Sequence, residues 1–141
     1  MWKFVLAFAA SVAVATTLPA LKAQVVRPWS FTAAERVAGE KLFQDHCGAC
    51  HGRAGVASGY APSLIDVIGR RAGSAPGFPY SPALKASGIV WSEDNLTKWI
   101  ANAPAMVPGT QMPHVSISDP AERLYVFEYL KSLSQRSTSG K

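Results

Sequence analysis

The stretch "CGACH" at positions 47 to 51 holds both cysteines of a 141-residue chain, three residues apart, with a histidine directly after the second. Side chains at i and i+3 of one helical turn lie on the same face, so two thiols and an imidazole are presented together. Few chemistries use such a group. A tetrahedral zinc site needs about four ligands. Cys47, Cys50 and His51 would have to recruit His46 or His114, and adjacent Cys50 and His51 suit one tetrahedral ion poorly. A thioredoxin-like dithiol needs the pair at a strand-to-helix junction in a βαβ setting, whereas the segment before Cys47 has the pattern of a helix.

A third chemistry uses every residue of the motif. C-x-x-C-H is the attachment signature of c-type haem, in which both sulfurs form thioethers to neighbouring vinyl groups of one porphyrin. The histidine is then held under the iron, and small Gly48 and Ala49 let the haem edge come close. In bacteria this attachment takes place outside the cytoplasm, and the N-terminus points to export independently. "MWKFVLAFAASVAVATTLPALKAQ" carries Lys3, then no charge until Lys22, with Leu, Val, Ala and Phe dominating between. Residues 1–23 therefore read as a signal peptide cut after Ala23, and the expected location is the periplasm. An uncleaved membrane anchor is the alternative, because the apolar run from Phe4 to Leu21 approaches spanning length; Ser11, Thr16, Thr17 and Pro19 weaken it. Without residues 1–23 the chain keeps 12 basic residues against 9 acidic ones, a net charge of +3. With no Lys/Arg run and no aromatic-basic alternation, nucleic-acid binding is excluded as a function class.

Residues 24–31 form a Pro-containing lead-in, 32–134 one domain, and 135–141 a polar, flexible tail. No internal repeat and no long alternating β-branched run is present, so the fold class is all-α. Thr32 and Glu35 make a capping box ahead of an apolar stripe of Ala34, Ala38, Gly39, Leu42 and Phe43. Ser92, with Glu93 and Asp94 after it, opens a helix whose inner face carries Leu96, Trp99 and Ile100. Asp119, Pro120 and Glu122 open a third, with Val126, Phe127, Leu130 and Leu133 at helical spacing. Shorter helical turns are expected at 63–68 and 82–87. Gly39 in mid-helix costs about 1 kcal/mol relative to Ala, which close approach of another helix would explain. Three main helices within so much Gly- and Pro-rich loop imply a centre filled by something other than side chains.

With His51 on one side of the iron, the sixth position decides between electron transfer and ligand chemistry. Met112 lies in "VPGTQMP", whose prolines and glycine forbid regular structure and suit an extended loop reaching the opposite haem face. Met106 reads as core filler at a helix end, His46 is too near the attachment site, and His114 competes with Met112.

The pieces "GEKLFQDHCGACHG", "GRRAGSAPGFPYSPALKASGIVW", "VPGTQMP" and "YVFEYLKSL", in this order from about Ala33 to Leu133, resemble class I c-type cytochromes, in particular the soluble branch of mitochondrial cytochrome c and its bacterial relatives. The resemblance implies the cytochrome c fold, with three main helices and short turns wrapped around one covalently attached haem c. It implies thioethers at Cys47 and Cys50, His51 and Met112 as axial iron ligands, and a Pro62 carbonyl that orients His51. It gives Arg70, Tyr80 and Trp91 to the haem propionates, and a helix crossing to Gly39 and Phe43 against Val126 and Tyr129. Two departures stand out. Trp99 takes a place usually held by tyrosine, which implies loss of a hydroxyl hydrogen bond to the methionine sulfur. "ANAPAMVPGTQM" lacks the lysines that dock acidic partners in mitochondrial relatives.

The function so implied is one-electron transfer in a bacterial periplasmic respiratory chain, not enzymatic turnover. Its partners are redox proteins: a donor reductase or dehydrogenase and an acceptor oxidase or reductase. The main alternative is an electron-accepting subunit of a periplasmic dehydrogenase complex; a five-coordinate peroxidase or gas sensor is a more distant one.

Overall fold

A computed structural model describes residues 31–138, except Gly59 and His114. The expected signal segment, most of the lead-in, His114 and the last three tail residues lie outside the described residues.

Helix α1 (Ala33–His46) opens as its sequence dictates: the Thr32 amide donates to Glu35 Oε2 at 2.6 Å, and the Glu35 amide donates to Thr32 Oγ1 at 3.2 Å. Of the expected stripe, Gly39 and Phe43 are buried and Ala38 and Leu42 half-buried, whereas Ala34, only one residue into the helix, stays exposed. The partner is the last helix, α5 (Pro120–Thr138). A Cβ on Gly39 would lie 2.7 Å from the Tyr125 carbonyl carbon and 3.3 Å from Tyr129 Cβ, so the two backbones nearly touch there. The Phe43 and Tyr129 rings meet one turn on, with centroids 5.2 Å apart. The closest backbone is thus that of Tyr125, one residue before the expected Val126. Val126, Phe127, Tyr129, Leu130 and Leu133 are all buried. Helix α5 runs through the first four residues of the expected tail, because extending a formed helix adds one hydrogen bond per residue fixed.

Cys47 ends α1, and a four-residue turn of helix, α2 (Gly48–His51), carries the motif. Gly52 stops it at φ +71, where a Cβ would run into the Val56 carbonyl. A 3₁₀ turn follows (Arg53–Gly55). The helical turn expected at 63–68 is instead a loop with a simple turn at 65–66. Ser63 Oγ donates to the Gly55 carbonyl at 3.0 Å and accepts from the Ile65 amide at 3.2 Å, and Asp66 sits at φ +56. Such side-chain bonding competes with helix formation.

Residues 69–72 and 89–91 then run side by side. The Gly69 amide donates to the Trp91 carbonyl, the Trp91 amide to the Arg70 carbonyl and the Ala72 amide to the Ile89 carbonyl. This single antiparallel bridge is all the β structure among the described residues. Between the two segments lies α3 (Pro82–Ala86), capped by Ser81. Helix α4 (Glu93–Met106) is capped reciprocally by Ser92 and Asn95, and packs Leu96, Trp99, Ile100 and Ala103 inward. Its backbone leaves helical geometry at Asn102, two residues before Pro104, whose ring cannot fit a regular turn. The break delivers the chain into the 107–118 loop. No helix among the described residues is long and apolar enough to cross a membrane.

Candidate functional site

Helices α1, α4 and α5 do not close on one another everywhere. A cavity of about 490 Å³ remains between them and the connecting loops. Cys47, Cys50 and His51 line it from α2 and the end of α1, Met112 from the 107–118 loop, and Arg70, Tyr80 and Trp91 from the paired segments and α3 approach. Phe43, Val67, Leu84, Leu96, Trp99, Ile100, Val126 and Leu130 supply the apolar wall. Every residue expected at the site, Pro62 included, therefore borders one space.

The imidazole of His51 is buried, and its Nδ1 lies 2.9 Å from the Pro62 carbonyl oxygen. A carbonyl only accepts, so Nδ1 carries the proton and the lone pair of Nε2 is left for a metal. Burial pushes the His51 pKa below its ordinary 6.5, against the opposing pull of the Pro62 hydrogen bond, which favours the neutral, ligating form. Cys47 is buried and Cys50 exposed. Burial, with Cys50 adding to it, pushes the Cys47 thiol up to about 11. A redox dithiol depends on a lowered thiol pKa, so this environment is opposite to what the thioredoxin-like reading needs. Among the described residues, no group of three His, Cys, Asp or Glu side chains converges to hold a metal ion.

At the polar edge, the Arg70 guanidinium donates through Nη2 to the Ser63 carbonyl at 2.7 Å and through Nη1 to the Ile65 carbonyl at 3.2 Å. Arg70 Nε is buried with no hydrogen-bond partner. A buried charged donor left unpaired is costly, and one on a residue that lines a cavity fits an anionic group bound inside. Burial raises the Tyr80 phenol pKa, against the lowering influence of Arg70 and of a hydrogen bond with the Ala75 backbone. Trp91 is buried, its ring 5.2 Å from that of Trp99 at 60°.

Met112 is half-buried. Its amide donates to Thr110 Oγ1 at 3.3 Å, and its sulfur accepts from the Trp99 indole N–H at 2.7 Å. The hydroxyl hydrogen bond is absent, and a different donor stands in its place. Exchange of a hydroxyl for an indole removes the O–H but supplies an N–H from α4 in its place. That donor was missed because residue type alone does not say where an indole nitrogen points. Met106 packs, half-buried, against the core. His114 lies outside the described residues.

An apolar slot with two thiols, a neutral imidazole, a thioether and an unpaired guanidinium nitrogen fits a planar, anionic-edged macrocycle with a central metal. The fold and site thus define a protein built around one covalently held cofactor. The sequence model "Cytochrome c" matches residues 37–134. Cytochrome c2 of Rhodomicrobium vannielii is 41% identical over 106 residues, covering 72% of this chain and 84% of its own. Cytochrome c of Euglena viridis is 39% identical over 95 residues, 67% and 93% of the two chains. The solved structure of cytochrome cH from Methylobacterium extorquens superposes with a TM-score of 0.64 at 41% identity, over 69% of this chain and 97% of that one. The chain belongs to the cytochrome c family, as a class I c-type cytochrome with the all-α cytochrome c fold. It binds haem c covalently and is an electron-transfer protein rather than an enzyme, acting with redox partners.

Proposed function

We propose that the protein is a one-electron carrier of a bacterial periplasmic respiratory chain whose haem iron is held by His51 and Met112. The observation that carries this reading is the meeting of the two candidate ligands in one cavity with Cys47 and Cys50. His51 is fixed through Nδ1 with Nε2 free, and the Met112 sulfur has a donor on one lone pair and the other available. Cys47 and Cys50 would hold the haem as thioethers, Arg70, Tyr80 and Trp91 would receive its propionates, and Pro62 would orient His51.

The bound haem supplies the one-electron couple. The chain's own part is to keep two ligands in both oxidation states, so that geometry changes little on electron transfer and no position opens to substrate. Thioether ligation in an apolar crevice raises the potential toward the upper part of the range of about 0.8 V that axial ligands span. The signal pattern of residues 1–23 supports export, with donor and acceptor proteins met in the periplasm. Ferric haem protein is expected to display a sulfur-to-iron charge-transfer band that disappears in Met112→Ala. A band that survives the substitution sinks the Met112 assignment.

One observation favours a second reading, a subunit of a periplasmic dehydrogenase complex. From Trp99 to Pro113 the chain has no charged residue, while Pro104, Ala105, Pro108, Gly109, Gln111 and Pro113 are exposed on this side of the cavity. A rim without charge does not steer acidic partners from a distance. Size exclusion of the native protein, with redox titration of whatever co-purifies, separates the two. Recovery at the monomer mass supports the carrier, and a stoichiometric dehydrogenase overturns it.

A further inference from the structure

A cofactor held through Cys50 meets the surface where Cys50 does. Cys50 is exposed, and so are Tyr60, Gln111 and Pro113, which line the same cavity and so mark its mouth. Two stretches of chain supply these rim residues, Ala54 to Ile65 and Trp99 to Pro113, and neither carries a charged residue. The first is folded back against the motif. Ser58 Oγ donates to the Cys50 carbonyl, and a Cβ on Gly52 would meet the Val56 carbonyl oxygen and Ser58 Cβ. On this loop Tyr60 is 86% and Val56 54% exposed, two large apolar side chains left in water. Among the described residues, Arg70 is the only Lys, Arg, Asp or Glu that lines the cavity, and its guanidinium is turned to the Ser63 and Ile65 carbonyls. The ion pairs Lys41–Asp45, Lys98–Asp94 and Lys131–Glu128 all lie within helices instead.

We infer that this mouth is a docking face for an uncharged, apolar patch on a redox partner protein, with the Tyr60 ring as its anchor. This rests on the electron-carrier reading and names the surface chemistry of the partner. Charge complementarity carries the argument. A charged group on the partner would lose water against a rim that offers no counter-charge, whereas an apolar group loses nothing there. Covering Tyr60 and Val56 removes apolar area from water, which favours the complex. Tyrosine suits the anchor, since it brings a large contact area at the cost of ordering only two side-chain angles. An uncharged rim does not steer encounter from a distance, so association is set by contact rather than by ionic strength.

The test follows electron exchange between the haem-loaded protein and the membrane and periplasmic fractions of its own cells, with the protein below saturation. From about 0.01 to 1 M salt the screening length falls from about 30 to about 3 Å. Over this range the rate should change by less than about fivefold, whereas a charge-steered encounter slows by about a hundredfold or more. Tyr60→Ala should lower the rate at least about fivefold, the loss expected of an anchoring residue, with potential and thermal unfolding at the parent values. Val37→Ala removes a side chain that is 67% exposed on α1 and does not line the cavity, and should leave the rate unchanged. A larger salt dependence overturns the uncharged partner, and a smaller loss in Tyr60→Ala overturns the anchor. Binding to phosphatidylcholine vesicles that Tyr60→Ala abolishes gives the face to a lipid surface, and a dimer that the same substitution dissolves gives it to a second copy; either overturns the inference. No exchange with either fraction overturns the carrier reading, and this inference with it.

Discussion

The α1–α5 crossing and the cavity beside it are built by opposite rules. At the crossing, Gly39 removes a side chain so that the Tyr125 backbone can come within van der Waals distance, and Phe43 closes on Tyr129. Protein packs on protein and nothing else is needed. A few ångströms away Leu96, Trp99, Ile100, Val126 and Leu130 turn apolar surface toward a space of about 490 Å³ that no side chain fills. One region is a finished core, and the other is half of a core whose second half is the haem. The molecule therefore depends on its cofactor for stability as well as for chemistry.

The largest effect expected from breaking this pairing comes from leaving the haem out. Without haem the apolar lining of the cavity is left facing water, at about 25 cal/mol per Å² of apolar surface. A typical domain has only about 5–15 kcal/mol of net stability to offset this. Cys47→Ala/Cys50→Ala protein without haem should therefore lose most of its far-UV helical signal; a helical, cooperatively melting apoprotein would show that the crossing suffices alone. Gly39→Ala attacks the other region. A Cβ forced against Tyr125 should cost about 3 kcal/mol in denaturant unfolding of the haem-loaded protein, the upper end for overpacking. The potential should stay at the parent value, since the crossing lies outside the ligand set.

The smallest effect belongs to the outer end of α1. Thr32→Ala removes the helix cap at a cost of about 1 kcal/mol. The Glu35 carboxyl is held below its usual 4.5 by its hydrogen bonds with the Thr32 backbone and side chain. A lowered carboxyl pKa stabilises the fold above the unfolded value, and the gain is lost as pH falls through the folded value. The stability gap between parent and Glu35→Ala should thus be full above about pH 4.5 and narrow below it, read by unfolding at a series of pH values. A gap that is constant through acid pH would remove Glu35 from the cap.

Much of this was legible before any coordinates. Thr32 and Glu35, Ser92, and Asp119 with Pro120 announce the three main helices, because capping is local chemistry. Gly39 announces a close approach through its cost. The 63–68 segment was not legible as a loop: Ser63 bonds to Gly55, a partner eight residues back that helical spacing does not reveal. Nor was the extent of α5 past Leu133, where polar residues continue a helix already formed.

The sequence by itself determined the chemistry of the cofactor, because C-x-x-C-H places two thiols and an imidazole within one turn whatever the rest of the chain does. It determined the fold class for the same reason, since caps and helical spacing act over a few residues. Only the tertiary structure decided how the distant methionine is held. Met112 and Trp99 are separated by a helix break at Asn102 and a loop, and the direction of an indole N–H depends on the packing of α4 against Trp91. A residue letter records that Trp99 has a donor, and only the folded chain aims that donor at a sulfur.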